Sequence, residues 1–114
     1  MTVPRYMLSV HDTIDAPAPS DERMAEFARR VGALDADLRD AGAWVFGLGL
    51  APAGQARVVT ADALVTDGPY LETREHIAGV WVIDVADDDA AHSWAARVAD
   101  ATGAPVEVRP TAGP

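Results

Sequence analysis

The residue types best suited to chemistry are concentrated in one stretch, "TDGPYLETREH", at positions 66–76. Asp67 and Glu72 are candidate catalytic residues, because a carboxylate whose pKa is shifted by burial or by a nearby charge can exchange a proton near neutral pH. Arg74 is a candidate for substrate binding, since a guanidinium can form two parallel hydrogen bonds with a carboxylate or phosphate. The stretch therefore suggests a site for a small anionic or carbonyl-bearing molecule.

Three further residues complete the predicted site. Tyr70 and His76 lie within and at the end of the same stretch, and we expect both to contact a substrate. His11, at the end of the first predicted strand, is a third catalytic candidate because imidazole titrates near neutral pH. It does not pair directly with its neighbour Asp12, because adjacent residues of a regular strand face opposite sides.

Each of these residues also has a purely structural interpretation. An aspartate that opens a turn, as Asp67 does, commonly uses its carboxylate to accept backbone N–H groups. Arg74 lies between Glu72 and Glu75 and is equally suited to neutralising them. Burial would raise the pKa of Glu72, whereas pairing with Arg74 would lower it. A binding site and a structural clamp both remain open here.

The chain holds these side chains through an Asp-Gly-Pro corner at 67–69. The glycine accepts torsions that other residues avoid, and the proline fixes its own φ, so the sequence specifies one turn and not a loose loop. Whatever their role, we expect the charged residues that follow the corner to be held in place.

Composition restricts the classes of function. The 114 residues correspond to a single domain, 1–114, and carry a formal net charge of −9 without any lysine. This charge opposes binding to nucleic acid or to an anionic membrane.

There is no cysteine, no metal-ligand spacing, no glycine-rich phosphate loop and no nucleophile elbow, so we predict neither a metal nor a cofactor. No signal peptide or membrane span is visible, which predicts a cytoplasmic protein.

The hydrophobic pattern predicts strands and helices in the order strand, helix, strand, hairpin, strand, helix, strand. Ser20 is the expected N-cap of the first helix and Gly42 its stop signal; aspartates begin the second helix and Gly103 follows it. The predicted strands span 5–11, 43–52, 56–60, 63–66, 76–85 and 105–109, and the helices 21–41 and about 87–101.

This order indicates an α+β fold, the ferredoxin-like βαββαβ arrangement with an inserted β-hairpin. Both helices would then cover one face of an antiparallel sheet. Because the strands offer apolar or small residues on both sides, the other face would be a large exposed apolar patch. We therefore expect a homodimer that pairs through its sheet faces.

The second strand has two unequal faces. Its alternation places Trp44, Phe46, Leu48 and Leu50 on a large face and Ala43, Val45, Gly47, Gly49 and Ala51 on a small one. Glycine weakens a strand, so two glycines on one face indicate that something approaches the sheet closely there. A covering helix and a ligand cavity both satisfy this pattern.

The string "TDGPYLETREHIAG" resembles the signature of the YCII-related superfamily, in its DGPF-domain branch. The match includes Asp67, Gly68, Pro69, Glu72, Thr73, Glu75 and Gly79. Tyr70 stands for the usual Phe, Arg74 for Lys, and Ala78 for the first residue of a Gly-Gly pair. The blocks "YMLSVHD", "GLGLAP" and "PVEVRP" are also similar to the family's, so the resemblance covers essentially the whole chain.

The resemblance implies a dimeric α+β barrel and leaves the activity undefined. Some members of the superfamily are regarded as possible enzymes with a His–Asp pair whose histidine lies on the first helix, but that helix contains no histidine here. DGPF-type proteins are also often encoded near extracytoplasmic-function sigma factors. Two hypotheses follow: a small-molecule enzyme or binder, and a non-catalytic interaction module that binds a regulatory protein.

Overall fold

The structure, a computed structural model, describes residues 3–13, 19–70 and 75–113. Within these ranges six strands and two helices follow in the order that the sequence predicts. A short 3₁₀ turn, Ala53–Gln55, precedes the hairpin. The elements are β1 Arg5–Thr13, α1 Asp21–Asp40, β2 Trp44–Gly49, β3 Arg57–Val59, β4 Val65–Asp67, β5 Glu75–Asp84, α2 Asp88–Thr102 and β6 Val106–Pro110.

Four strands form one antiparallel sheet in the order β2-β5-β1-β6, and β3 pairs with β4 in a separate two-stranded sheet. When the hairpin is treated as an insertion, this is the strand order of a ferredoxin-like fold. The fold class predicted from the sequence is therefore confirmed.

Local signals begin and end the helices at the predicted places. The Ser20 hydroxyl accepts a hydrogen bond from the backbone N–H of Arg23 at 3.2 Å, and the Asp87 carboxylate accepts one from that of Ala90 at 2.9 Å. Gly103 ends α2 with a φ of +71°, a conformation that glycine adopts without strain. These caps fix where each helix starts over the sheet.

Both helices pack on the same face of the four-stranded sheet. The residues most completely removed from solvent there are Leu8, Leu34, Leu38, Ile83 and Val98. The shortest dimension of the fold is 17 Å, as expected for one sheet covered by one layer of helices. We call the covered side the helix face and the opposite side the helix-free face.

Apolar residues recur at helical spacing along α1 and predict one core-facing stripe, which is buried only in its second half; its members are Met24, Phe27, Ala28, Val31, Leu34 and Leu38. Leu34 and Leu38 are buried, but Met24 and Phe27 expose 57% and 47% of their surface, and Ala28 is exposed. The prediction that the whole stripe faces the core was therefore wrong for the first two turns. Phe27 lies over open space between α1 and the sheet, and not over packed side chains.

The predicted faces of β2 are wrong at Trp44. An extra residue, Val45, lies between the positions that pair with Ile83 and Val82 of β5, so Trp44 and Phe46 point to opposite faces. The bulge turns Trp44 to the helix face, where Arg39 lies 4.1 Å above its ring centroid. Beyond the bulge the predicted alternation holds.

The helix-free face retains exposed apolar side chains. Phe46 and Leu48 of β2 expose 46% and 48% of their surface there. On the hairpin Val59, Leu64 and Val65 are more exposed still.

Among the described residues no helix is both long and apolar enough to cross a membrane.

Candidate functional site

A cavity of about 230 Å³ lies between α1 and the helix face of the sheet. Its walls come from β1, β2, β5, α1 and the end of α2, so both halves of the ferredoxin-like repeat contribute. Most of the lining is apolar or glycine. The lining residues are Val10, Asp12, Phe27, Val31, Asp35, Gly47, Leu48, Gly49, Ala78, Gly79, Trp81, Thr102 and Ala104.

The floor of the cavity is the glycine-bearing face of β2. A Cβ built on Gly47 would lie 2.9 Å from Cδ1 of Trp81 and 3.1 Å from Cη2 of Trp44, so two indole rings already fill that position. Gly49 lies two residues further along the same face, and among residues 3–13, 19–70 and 75–113 no atom lies within 4 Å of a Cβ built there. The close approach at Gly47 thus comes from two tryptophans of the sheet and not from a covering helix, and the position above Gly49 is open in the part of the chain that the structure describes.

One wall of the cavity is a hydrogen-bonded pair. The indole Nε1–H of Trp81 donates to Oδ1 of Asp35 at 2.8 Å, across the interface between β5 and α1. This bond satisfies an indole N–H that would otherwise be buried without a partner. It also fixes the orientation of the Asp35 carboxylate at the cavity wall.

The end of β1 separates its two polar residues as predicted. His11 lies on the helix-free face, where its Nε2 is 3.2 Å from the Ser9 hydroxyl. Asp12 lines the cavity on the helix face. His76 is half-buried and pairs with Asp12 across the β1–β5 ladder, next to the cavity wall. The structure therefore brings Asp12 and His76 together and keeps His11 away from them.

The Asp-Gly-Pro corner lies at the end of the hairpin and outside the cavity lining. Asp67 pairs with Arg57 at 3.0 Å, and its side chain is 93% exposed. Gly68 has a φ of +86°, the left-handed torsion expected of it, and its N–H donates to the Ala56 carbonyl at 2.8 Å. Tyr70 is 83% exposed.

The predicted site residues are therefore dispersed. Glu72 and Arg74 lie outside the described residues, so their catalytic and binding roles stay predictions. Asp67 and Tyr70 are at the surface of the hairpin, and His11 is on the opposite face of the sheet from the cavity. Across residues 3–13, 19–70 and 75–113, no group of three His, Asp or Glu side chains is placed to hold a metal ion.

Asp35 and Trp81 were missed as site residues in the sequence, although a signal for Asp35 exists. Asp35 lies four residues after Val31 and three before Leu38, at a core-facing position of the apolar stripe on α1. A carboxylate at such a position requires a polar partner or a cavity. Trp81 gave no comparable signal, because a tryptophan in an apolar strand is expected in any core.

Comparison with known proteins supports the resemblance seen in the sequence. No curated protein matches this chain. Residues 5–111 match the family model of the YCII-related domain, from the first residue of β1 to just beyond the end of β6. All of the secondary structure described above falls within the match. The chain belongs to the YCII-related family, whose activity is undefined.

Proposed function

We propose that this protein binds a small, mainly apolar molecule in the cavity between α1 and the sheet. The volume of about 230 Å³ supports a ligand the size of one substituted ring, since an apolar cavity of about 150 Å³ is enough to bind benzene. A concave, largely apolar space with few polar groups is typical of small-molecule sites. Whether the bound molecule is also transformed stays open.

The observation that carries the proposal is the contrast between Gly47 and Gly49. Packing around Gly47 is as tight as a protein interior allows, so the sheet and helices are not loosely assembled here. Two residues further along, on the same face, no atom of the described residues lies within 4 Å of a Cβ built on Gly49. Phe27 leaves nearly half its surface exposed beside that space. The opening is thus local and bounded by well-packed walls.

The test fills the cavity from its floor. Gly49→Val adds a side chain suited to a strand at a position where it clashes with nothing, and it occupies the proposed site. Gly54→Val is the matched control, because a Cβ there also meets no atom within 4 Å and Gly54 does not line the cavity. Benzyl alcohol serves as the probe, with binding followed by NMR at the Trp81 indole N–H.

We expect benzyl alcohol to shift the Trp81 indole signal in the wild type and in Gly54→Val, and to leave it unchanged in Gly49→Val. A probe that shifts no cavity residue, or that binds Gly49→Val as well as the wild type, would contradict the proposal. Thermal unfolding of both variants shows whether the fold is retained.

We also propose that two copies pair through their helix-free faces. The support is the exposed apolar surface of Phe46 and Leu48 on a fold only 17 Å thick, which has helices on one side alone. Exposed apolar side chains on an uncovered sheet face favour association in water. A mass measurement in solution should give a dimer that Leu48→Glu weakens; a wild-type monomer at high micromolar concentration would refute the pairing.

The alternative function, an interaction module that binds a regulatory protein such as an extracytoplasmic-function sigma factor, has one supporting observation. Val59, Leu64 and Val65 expose more than half of their surface on the hairpin. The hairpin strands pair only with each other and not with the four-stranded sheet. Calorimetric titration of a purified sigma factor of this class would test the alternative: binding should weaken in Val65→Asp, and an absence of heat change would exclude that partner.

A further inference from the structure

The cavity is continuous with a groove on the helix layer. This groove has a volume of about 590 Å³ and lies between the first half of α1 and the end of α2. Asp12, Phe27 and Thr102 line both the cavity and the groove, so the two spaces meet at these residues. Met24 lines the groove but not the cavity. A molecule bound in the cavity can therefore extend past Phe27 and reach Met24.

Two apolar side chains of α1 lie exposed along this route. Phe27, at the junction of the two spaces, exposes 47% of its surface, and Met24, in the groove, exposes 57%. The two residues are three positions apart and so lie on one side of the helix. Neighbouring exposed apolar side chains beside a cavity are typical of a ligand-binding groove. Because Phe27 borders both spaces, this apolar surface continues that of the cavity.

The junction suits an apolar chain, and the groove suits a polar group. The Thr102 hydroxyl donates to the Val98 carbonyl at 2.8 Å, so a chain that passes this residue leaves no hydroxyl donor unpaired. The described lining of the groove includes charged side chains of both signs, Arg23 and Asp100 among them. A neutral hydroxyl can accept a hydrogen bond from a guanidinium and donate one to a carboxylate.

We propose that the ligand of this protein is an elongated molecule, with an apolar end over Gly49, a chain that passes Phe27 and a polar group in the groove beside Met24. This inference rests on the proposed function and adds the class of the ligand, a molecule with an apolar head and a polar tail. It also gives a reason for the exposed ring of Phe27, at a position where the helical spacing predicts burial.

The experiment lengthens the benzyl alcohol probe. Benzyl alcohol, phenylbutanol and phenylhexanol each carry one ring and a hydroxyl at the end of the chain, and they differ only in the number of methylene groups between them. Each is titrated into the full chain, and the dissociation constant is measured from the Trp81 indole N–H signal. A fully buried methylene strengthens binding about fourfold, so we expect phenylbutanol to bind at least about tenfold more tightly than benzyl alcohol.

Two methionine methyl signals locate the chain of the probe. The Met24 methyl signal should shift with phenylbutanol and phenylhexanol and stay in place with benzyl alcohol. The Met7 methyl signal should not shift with any probe, because Met7 lines neither the cavity nor the groove.

A pair of variants tests the groove itself. Met24→Gln keeps the length and the helix propensity of the side chain and removes its apolar contact with the chain of the probe. It should reduce the gain from benzyl alcohol to phenylbutanol by about fourfold and leave the binding of benzyl alcohol unchanged. Ala28→Gln is the matched control, because Ala28 is an exposed residue of the same helix that lines neither space. It should keep the full gain.

The outcomes separate this inference from the function on which it rests. Binding of benzyl alcohol without any gain from the longer chains would keep the cavity as a binding site and overturn the elongated ligand. Failure of every probe to bind would remove the proposed function itself. A gain that persists in Met24→Gln, or long probes that bind Gly49→Val as tightly as the wild type, would show attachment to another apolar surface, such as the face between two copies, and would also overturn the inference.

Discussion

The Asp-Gly-Pro corner and the cavity wall hold their carboxylates in opposite ways. At the corner Asp67 pairs with Arg57 in an ion pair that is open to water, where such pairs contribute little to stability. At the wall Asp35 accepts a hydrogen bond from a nearly buried indole, with apolar residues on either side. Asp67 and Tyr70 of the conspicuous stretch thus lie at the surface, and the described lining of the cavity consists largely of residues that read as ordinary core.

The difference follows from what each region packs against. The hairpin that leads to the corner pairs only with itself, so its side chains have little beneath them to exclude water. The cavity lies between the four-stranded sheet and the helices, and Val10, Val31 and Trp81 of its lining also belong to the hydrophobic core. A cavity in such a place persists only if its walls are rigid; two predictions test that rigidity, and a third compares a core hydrogen bond with the surface corner.

The largest expected effect is on Trp81. This residue is nearly buried, and Trp81→Ala should lower the free energy of unfolding by about 3–5 kcal/mol, as large-to-small changes in a core do. Val65→Ala on the hairpin should change it by less than about 0.5 kcal/mol, because Val65 is mostly exposed. Urea denaturation measures the free energy of unfolding of both variants. Equal losses of stability would show that the hairpin packs as tightly as the cavity wall.

A smaller difference in the free energy of unfolding is expected between alanine substitutions at two glycines of β2. Gly47→Ala places a methyl group 2.9 Å from Trp81, and overpacking of this kind costs about 1–3 kcal/mol. Gly49→Ala points into the cavity and should be neutral or slightly stabilising, because alanine restricts the unfolded chain more than glycine does. Urea denaturation also measures the change in the free energy of unfolding for these two variants. If Gly49→Ala lowered it as much as Gly47→Ala, the space above Gly49 would not be open.

Much of this architecture could be predicted because local signals determine it. Ser20, Asp87 and Gly103 cap the helices through their own backbone contacts, which depend on nearby residues alone. The alternation of large and small residues on β2 likewise indicated the close approach at Gly47, although it wrongly indicated the same at Gly49. The element order then left few topologies, and the ferredoxin-like sheet is one of them.

The cavity's chemistry could not be predicted in the same way, because it depends on contacts between distant parts of the chain. Trp81 and Asp35 are 46 positions apart, and only the packing of α1 on β5 brings them together. The bulge at Val45 depends on the register of β2 against β5, so the sequence of β2 alone gave the wrong face for Trp44. The charged stretch attracted the functional prediction because its residue types were visible without any knowledge of the fold.

The smallest effect concerns the two tyrosines, Tyr6 in the hydrophobic core and Tyr70 on the Asp-Gly-Pro corner. The Tyr6 hydroxyl donates to Oδ1 of Asp88 at 2.6 Å, and this bond, together with burial, raises the pKa of Tyr6 to about 12. Because the folded pKa lies above the ordinary value of about 10, the bond stabilises the fold fully below pH 10, and the contribution is lost as the pH rises toward 12. Stability measured by denaturation should therefore fall across this interval in the wild type.

Tyr6→Phe should lower stability at pH 7 and flatten its fall between pH 10 and 12, since it removes the titrating hydroxyl and leaves the ring in place. Tyr70→Phe is the matched control on the Asp-Gly-Pro corner, where the side chain is exposed and donates no hydrogen bond to another described residue. It should leave both the stability at pH 7 and the slope above pH 10 as they are in the wild type. A steep fall that survives in Tyr6→Phe would mean that another group controls alkaline unfolding, and that the link from β1 to the start of α2 is weaker than its geometry indicates.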